Sequence, residues 1–454
     1  MQVPTFEQLI RKYDVPVPRY TSYPTVPHWN TKDFDLTSWH RAVKRAFDES
    51  NDEKGISLYI HLPFCESLCT YCACNTRITR NHAVEERYIA AVIGEWKAYL
   101  KLFGRRPKVR ELHLGGGTPT FFSPENLDRL LTLLLEQADI HPAPEFGFEG
   151  HPNNTTRAHL EALRSFGFRR VSFGVQDLDE RVQRAINRIQ PFENVELVTN
   201  QSRDLGYKSI SFDLIYGLPY QTLESVTKTL ESVISLRPDR IAFYSYAHVP
   251  WMRPGQRGYE DADLPSDVTK RALYEQGRKM FDAAGYKEIG MDHFALPHDA
   301  LSHAKTQGTL HRNFMGYTTS HTDLLIGLGT SAISDARYAY AQNEKVVEKY
   351  TQCVLEGGFA IARGHIQSPE DLRLRRAIID IACNGVVSCE QLARTAGQEA
   401  FRQLKEMEQE GLVEFAPEGL VVTDRGRAFI RNICSVLDPH MKKSLSRDVF
   451  SKAI

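Results

Sequence analysis

The sequence contains no apolar run approaching the roughly 20 residues that span a bilayer. Its opening stretch, MQVPTFEQLIRKYDVPVPRY, also lacks the basic-then-apolar pattern of a secretory leader. These two absences predict a cytoplasmic protein with no membrane span. A surplus of either charge is missing as well: 56 Lys and Arg stand against 57 Asp and Glu in 454 residues. No global field exists to gather nucleic acid or an anionic membrane surface, so neither is expected as a partner. Cysteine is sparse except in one place. Cys353, Cys383, Cys389 and Cys434 are scattered and read as ordinary buried thiols, whereas HLPFCESLCTYCAC (61–74) carries Cys65, Cys69, Cys72 and Cys74. In a reducing compartment, thiols that close are metal ligands or redox groups rather than structural disulfides.

The length exceeds what one core usually supports and predicts a large domain with a smaller one. From residue 56 short period-two runs alternate with helical stretches, the rhythm of βα units. Strands are expected at 56–62, 109–115, 145–151, 170–176, 209–217 and 240–248. Helices are expected where apolar residues recur every three or four positions, as at Ile89, Val92, Ile93, Trp96, Leu100 and Phe103. Further helices fall at about 124–138, 156–166, 194–206 and 223–237.

The strands are not uniformly apolar. Ile56, Leu58 and Ile60 oppose Ser57, Tyr59 and His61, and the same alternation sets Val171, Phe173 and Val175 against Ser172, Gly174 and Gln176. A flat sheet covered by helices on both sides has no place for the polar face, but a curved sheet lining a cavity does. The expected fold is α/β: a partial (β/α)6 TIM-like barrel of parallel strands, with an N-terminal strap and a C-terminal, mostly helical, winged-helix-like domain. The divisions are 1–50, 51–366 and 367–454. The strap, with its PRYTSYPTVPHW segment, is expected to pack over the barrel. In the last segment Ser388 and Gln391 form a capping box, and 13 basic residues balance 13 acidic ones, so the footprint DNA requires is absent and a cover or docking role fits better.

Barrel chemistry sits at the C-terminal strand ends, where the cysteine loop, Gly115 to Gly117, Glu149, Gln176 and Asp213 all fall. Four buried structural thiols in ten residues of a polar loop would be unusual. A four-cysteine zinc site uses two separated pairs, and no second pair exists. An iron–sulfur cluster suits the compact C-x3-C-x2-C spacing best. Three thiolates on a cubane leave one iron open to a small chelator.

That spacing resembles the radical S-adenosylmethionine superfamily, and the chain is similar almost end to end to the oxygen-independent coproporphyrinogen III oxidases of haem biosynthesis. The likeness runs through PRYTSYPT (18–25), YIHLPFCESLCTYCACN (59–75), LHLGGGTPT (112–120), GVQD (174–177), DLIYGLP (213–219), YAHVP (246–250), GMDHFA (290–295), HRNFMGYTT (311–319), SAIS (331–334) and IRNIC (430–434). The resemblance implies that Cys65, Cys69 and Cys72 hold a [4Fe-4S] cluster and that Cys74 is a fourth, non-ligating cysteine. It implies two S-adenosylmethionine molecules, one near Tyr59, Gly116, Glu149 and Ile333, the other near Tyr71, Gly117, Thr118, Gln176, Arg188, Asp213 and Ala247. No catalytic side chain is implied beyond the cluster and the adenosyl radical. The implied reaction converts two propionates of coproporphyrinogen III to vinyls, giving protoporphyrinogen IX: a 5′-deoxyadenosyl radical removes a hydrogen from the propionate β-carbon, an electron leaves to an acceptor, and carbon dioxide departs. The implied partners are this substrate and a reductant protein, and the chain is read as a monomer.

A tetracarboxylate calls for cations, and Arg19, Arg77, Arg80 and Arg312 lie in the similar loops. Three departures stand out: Ala73 where Gly is usual, Gly150-His151 after Glu149, and Met315 where Gln is expected. Two alternatives share the superfamily, a haem-binding chaperone and a radical methyltransferase. Chaperone paralogues lack the strap and the Cys74 equivalent, both present here. A zinc-dependent or DNA-binding regulator is the reading from another class.

Overall fold

The computed structural model describes residues 4–442 and 450–451, and the expected alternation is visible in it as six parallel strands. They are β1 (Ile56–Leu62), β2 (Lys108–Gly116), β3 (Asp139–Gly150), β4 (Arg170–Gln176), β5 (Ser209–Tyr216) and β6 (Arg240–Ser245), consecutive in one twelve-stranded sheet. Register places Ile60, Leu114, Phe148, Val171 and Ile210 side by side in a row across five strands. All five are buried against helices that include Val84–Phe103 and Pro124–Leu135, each worth roughly 1.5–3 kcal/mol on leaving water. The opposite faces carry His113, Glu149, Ser172 and Asp213, which alternate with buried neighbours in β4 and β5.

The sheet extends past the six strands on both sides. Beyond β1 come Leu325–Leu328, parallel to it, then antiparallel Ile333–Asp335, Ala339–Asn343 and Ile361–Ile366; beyond β6 come His293–Ala295 and Lys287–Gly290. These flanking strands are short. Leu325–Leu328 and Ala339–Asn343 are buried at every position, so period two is absent from them and the sequence reading missed them. The outermost strands, Ile361–Ile366 and Lys287–Gly290, do not pair with each other among the described residues, so the sheet is not closed.

At the N-terminal strand ends the lumen is filled. A hairpin, His311–Asn313 with Gly316–Thr318, enters there. Thr318 donates to Glu111, Thr319 donates to Glu145, and Arg170 pairs with Glu145 at 3.2 Å. Arg240 pairs with Asp299 at 2.8 Å.

The C-terminal module has its own core. Helices Pro369–Asn384, Cys389–Thr395 and Gln398–Gln409 pack on a three-stranded ribbon of Val386–Ser388, Gly419–Val422 and Val413–Ala416. The Ser388/Gln391 capping box forms as expected. The strap, however, does not lie over the barrel alone. Leu9, Tyr13, Tyr20 and Tyr23 belong to the module's core, Tyr13 donates to Glu410 at 2.6 Å and Tyr20 to Asp438 at 3.1 Å, and the Arg431 guanidinium donates to Pro18 O at 3.2 Å. Farther along, Trp29 stacks on Tyr340 at 5.4 Å, which ties the strap to the sheet flank. The reason is composition: Tyr13 and Tyr20 carry both an apolar ring and a hydroxyl and find polar acceptors in that core. No helix among the described residues is long and apolar enough to cross a membrane.

Candidate active site

At the C-terminal strand ends a cavity of about 490 Å³ opens. The cysteine loop forms one wall. The chain leaves β1, and Phe64–Cys65 pairs in parallel with Arg77–Ile78, so residues 66–76 are held as a closed loop. Arg77 N donates to Pro63 O at 2.8 Å, Thr79 N to Cys65 O at 2.9 Å, and Asn187 Nδ2 to Leu68 O at 2.8 Å. Cys65, Cys69, Cys72 and Cys74 are free thiols that all line the cavity.

Their environments differ. Burial pushes the Cys65 thiol up to about 11. A hydrogen bond from the Cys74 thiol, with Arg188 and Arg253 nearby, lowers Cys72 to about 6. Arg188 Nη1 stands 3.7 Å from Cys69 Sγ. Thiolate is the form that binds metal, and in this wall Cys72 is the thiol whose surroundings favour it.

The glycine turn supplies the second wall. Gly116 has φ 120°, and a Cβ on Gly117 would fall 2.6 Å from both the carbonyl carbon and oxygen of Pro63. Only glycine lets this backbone approach the cysteine loop so closely. Gly117 N donates to Leu62 O at 2.8 Å, and Thr118 N to Phe64 O at 3.0 Å, locking the two walls together.

Two carboxyls face the same space in opposite states. Burial pushes Glu149 up, but a hydrogen bond from His113 (3.5 Å), the charge of that ring and the Gly116 amide (3.2 Å) outweigh it and hold the carboxyl below its ordinary value. Asp213 is pushed up to about 7 by burial and the Glu149 charge, with Ser172 Oγ donating at 3.1 Å in partial compensation. The folded protein therefore retains a proton on Asp213 that the unfolded chain releases from its ordinary 3.8 upward. That contribution stabilises the fold at low pH and disappears as pH rises through about 7. Asp213→Asn cannot ionise, so its thermal midpoint should exceed the wild type's at pH 8 and approach it at pH 5. A calorimetric difference that is flat with pH would refute the assignment.

Gln176, at the end of β4, has φ 67°, a strained conformation for a non-glycine residue and one that clusters at functional sites. It also lines the cavity, as do Tyr71, Gly116, Gly117, Thr118, Glu149, Arg188 and Asp213. Three other residues expected at the site stand away from that wall. Tyr59 lies behind Glu149, stacked on His113 at 6.1 Å and 3.1 Å from His61 Nδ1. Ala247 accepts from Gln256 through its carbonyl at 3.2 Å. Ile333 lies in a flanking strand, its carbonyl against Gly327. Tyr244, on the polar face of β6, lines the cavity and was not anticipated; the alternation of RIAFYSYAH could have flagged it.

An iron–sulfur cluster with an S-adenosylmethionine beside it fits this donor set. The thiols are free, the glycine turn leaves backbone within reach, and Arg188 Nε is buried without a partner at the cavity edge. Among the described residues no three His, Cys, Asp or Glu side chains converge as a single ion needs, whereas a cluster takes each thiolate on a different iron.

Residues 59–233 match the Radical SAM superfamily. Over 453 residues the chain is 39% identical to an oxygen-independent coproporphyrinogen III oxidase of Salmonella typhimurium, covering 98% of each chain. It is likewise 39% identical over 459 residues to that of Pseudomonas aeruginosa, again with 98% of each covered. Among solved structures, the coproporphyrinogen III oxidase of Escherichia coli, described as a radical SAM enzyme, superposes with a TM-score of 0.88 at 37% identity, over 97% of this chain and 100% of that one.

Proposed function

The chain belongs to the oxygen-independent coproporphyrinogen III oxidase family of radical S-adenosylmethionine enzymes, and from that premise we propose that it converts two propionates of coproporphyrinogen III to vinyls, giving protoporphyrinogen IX. The observation that carries the proposal is the convergence of Cys65, Cys69, Cys72, Glu149, Arg188 and Asp213 on one cavity at the C-terminal strand ends. When bound and reduced, the cluster supplies the electron that splits the sulfonium and so provides an adenosyl radical able to take hydrogen from an unactivated carbon.

The chain's own residues do the holding and excluding. Cys65, Cys69 and Cys72 would ligate the cluster, with Cys74 donating to Cys72 rather than to iron. Arg188 Nε has a free N–H for a methionyl carboxylate. Glu149, held ionised, and Asp213 accept hydrogen bonds from ribose hydroxyls, and two such acceptors on one wall suit two nucleoside ligands. In this reading 51–366 is the catalytic barrel, while 1–50 and 367–454 close it and keep water from the radical. A reductant protein feeds the cluster.

The test is anaerobic turnover of cluster-replete protein with coproporphyrinogen III, S-adenosylmethionine and a reductant. Protoporphyrinogen IX, 5′-deoxyadenosine and two carbon dioxide molecules per product are expected. Transfer of labelled methyl to product would instead indicate a methyltransferase, and haem binding without vinyl products a chaperone.

A further inference from the structure

The four arginines expected to meet substrate carboxylates have different fates. Arg77 pairs at 2.8 Å with Glu348, both more than half exposed, and Arg80 is exposed. Arg19 pairs with Asp292. Arg312 is only 5% exposed. It sits on the hairpin that plugs the lumen, opposite Tyr317, with its guanidinium 4.6 Å from the centre of that ring. Its Nε and Nη1 are buried, and no hydrogen bond or ion pair reaches them from the described residues. A buried cation without a counter-charge is strongly destabilising, and a specific orphan of this kind asks for an occupant.

The surroundings supply donors and no free acceptor of charge. His293 Nε2 meets the Tyr244 hydroxyl at 3.3 Å, while its Nδ1 is buried and unpaired. Tyr244 lines the cofactor cavity. The Arg19 guanidinium lies 6.0 Å from the Tyr244 ring centre and takes Asp292, the nearby acid, for itself. The thiols Cys383 and Cys434 are pushed up by burial and stay neutral. One edge of a guanidinium, Nε with Nη2 or Nη1 with Nη2, matches the geometry of one carboxylate, and each edge of Arg312 has an unpartnered N–H.

Resting on the functional reading above, we propose that Arg312 is a carboxylate anchor for the substrate, gripping a single propionate through one edge of its guanidinium, near Tyr244 and His293. That propionate is one the reaction keeps. A guanidinium stabilises the ionised carboxylate and opposes its departure as neutral carbon dioxide, so the anchor suits a non-reacting side chain whose binding energy positions the reacting one. Arg312 is therefore a positioning residue, and the energy of its occupied state comes from the substrate.

The proposal makes free-state stability and substrate binding move in opposite directions. Arg312→Met should melt no lower than wild type without substrate, because an unpaired buried charge is gone. It should retain the cluster absorption. KM for coproporphyrinogen III should rise about 10- to 100-fold, and the stabilisation that this substrate gives the wild type in an anaerobic melt should vanish. Arg312→Lys, which keeps the charge but loses the fork, should show an intermediate KM. A lower melting point without substrate, together with unchanged KM in both variants, would make Arg312 a structural residue and overturn the proposal. Wild type that neither binds nor converts coproporphyrinogen III would remove the functional reading and this inference together, whereas wild type and Arg312→Met that bind it equally would remove the inference alone.

Discussion

Replacing Cys65, Cys69 or Cys72 with alanine will abolish the brown chromophore and the reductive cleavage of S-adenosylmethionine, while Cys74→Ala leaves both in place. For each of the three, cleavage should fall by at least about a thousandfold, equivalent to about 4 kcal/mol of barrier. The loop is closed by the Phe64–Cys65 and Arg77–Ile78 pairing, so losing one thiol leaves the others in position yet one iron corner unheld. Cys74 acts on its neighbour instead, since its thiol donates to Cys72 and keeps that sulfur acidic. With Cys72 bound to a cluster, that hydrogen bond would no longer be needed to keep the sulfur deprotonated. Iron and sulfide analysis with visible absorption of anaerobically reconstituted variants separates the two classes. Loss of the chromophore in Cys74→Ala would show that the ligand set has been drawn wrongly.

Gly117→Ala should be nearly as damaging, although it removes nothing. The new methyl would stand 2.6 Å from the Pro63 carbonyl group and 2.9 Å from Phe64 O. These are backbone atoms at the root of the cysteine loop, so no side chain can swing aside. Either the glycine turn or the loop must move, breaking the Gly117 to Leu62 and Thr118 to Phe64 hydrogen bonds. A stability loss of about 1–3 kcal/mol is expected from the overpacking, with S-adenosylmethionine affinity falling more than about tenfold as the cradle shifts. Gly258→Ala is the control, because nothing lies within 4 Å of its methyl. Calorimetry together with equilibrium binding of S-adenosylmethionine would decide, and a Gly117→Ala protein equal to the control in both would remove the argument for a close-approach turn.

How much of this was legible before the structure depends on the kind of signal. The bounds of β1 and β4 match the sequence reading residue for residue, since a strand with one apolar and one polar face leaves a period-two trace. The flanking strands left none, because Leu325–Leu328 and Ala339–Asn343 are buried at every position. The cavity wall was readable where motifs are contiguous, as in the cysteine loop and the glycine turn. Tyr244 and His293 lie in or beside the quoted stretches YAHVP and GMDHFA, but neither stretch shows which of its side chains faces the cavity. Arg312 could be named from the sequence as one cation of four. Its distinction, burial without a partner, is a property of the hairpin's placement in the lumen, which no local pattern encodes.

The shared core of strap and C-terminal module has a bearing on synthesis. Leu9, Tyr13, Tyr20 and Tyr23 are made before the barrel, and their packing partners extend to Leu437. At roughly 5–20 residues per second the ribosome takes about 20–80 s to cover that distance, during which the barrel can assemble while these four side chains remain in water. Strap and module thus join last, and a nascent chain stalled before Ile430–Val436 carries an unsheltered apolar segment ahead of the barrel, a natural handle for a chaperone or a protease.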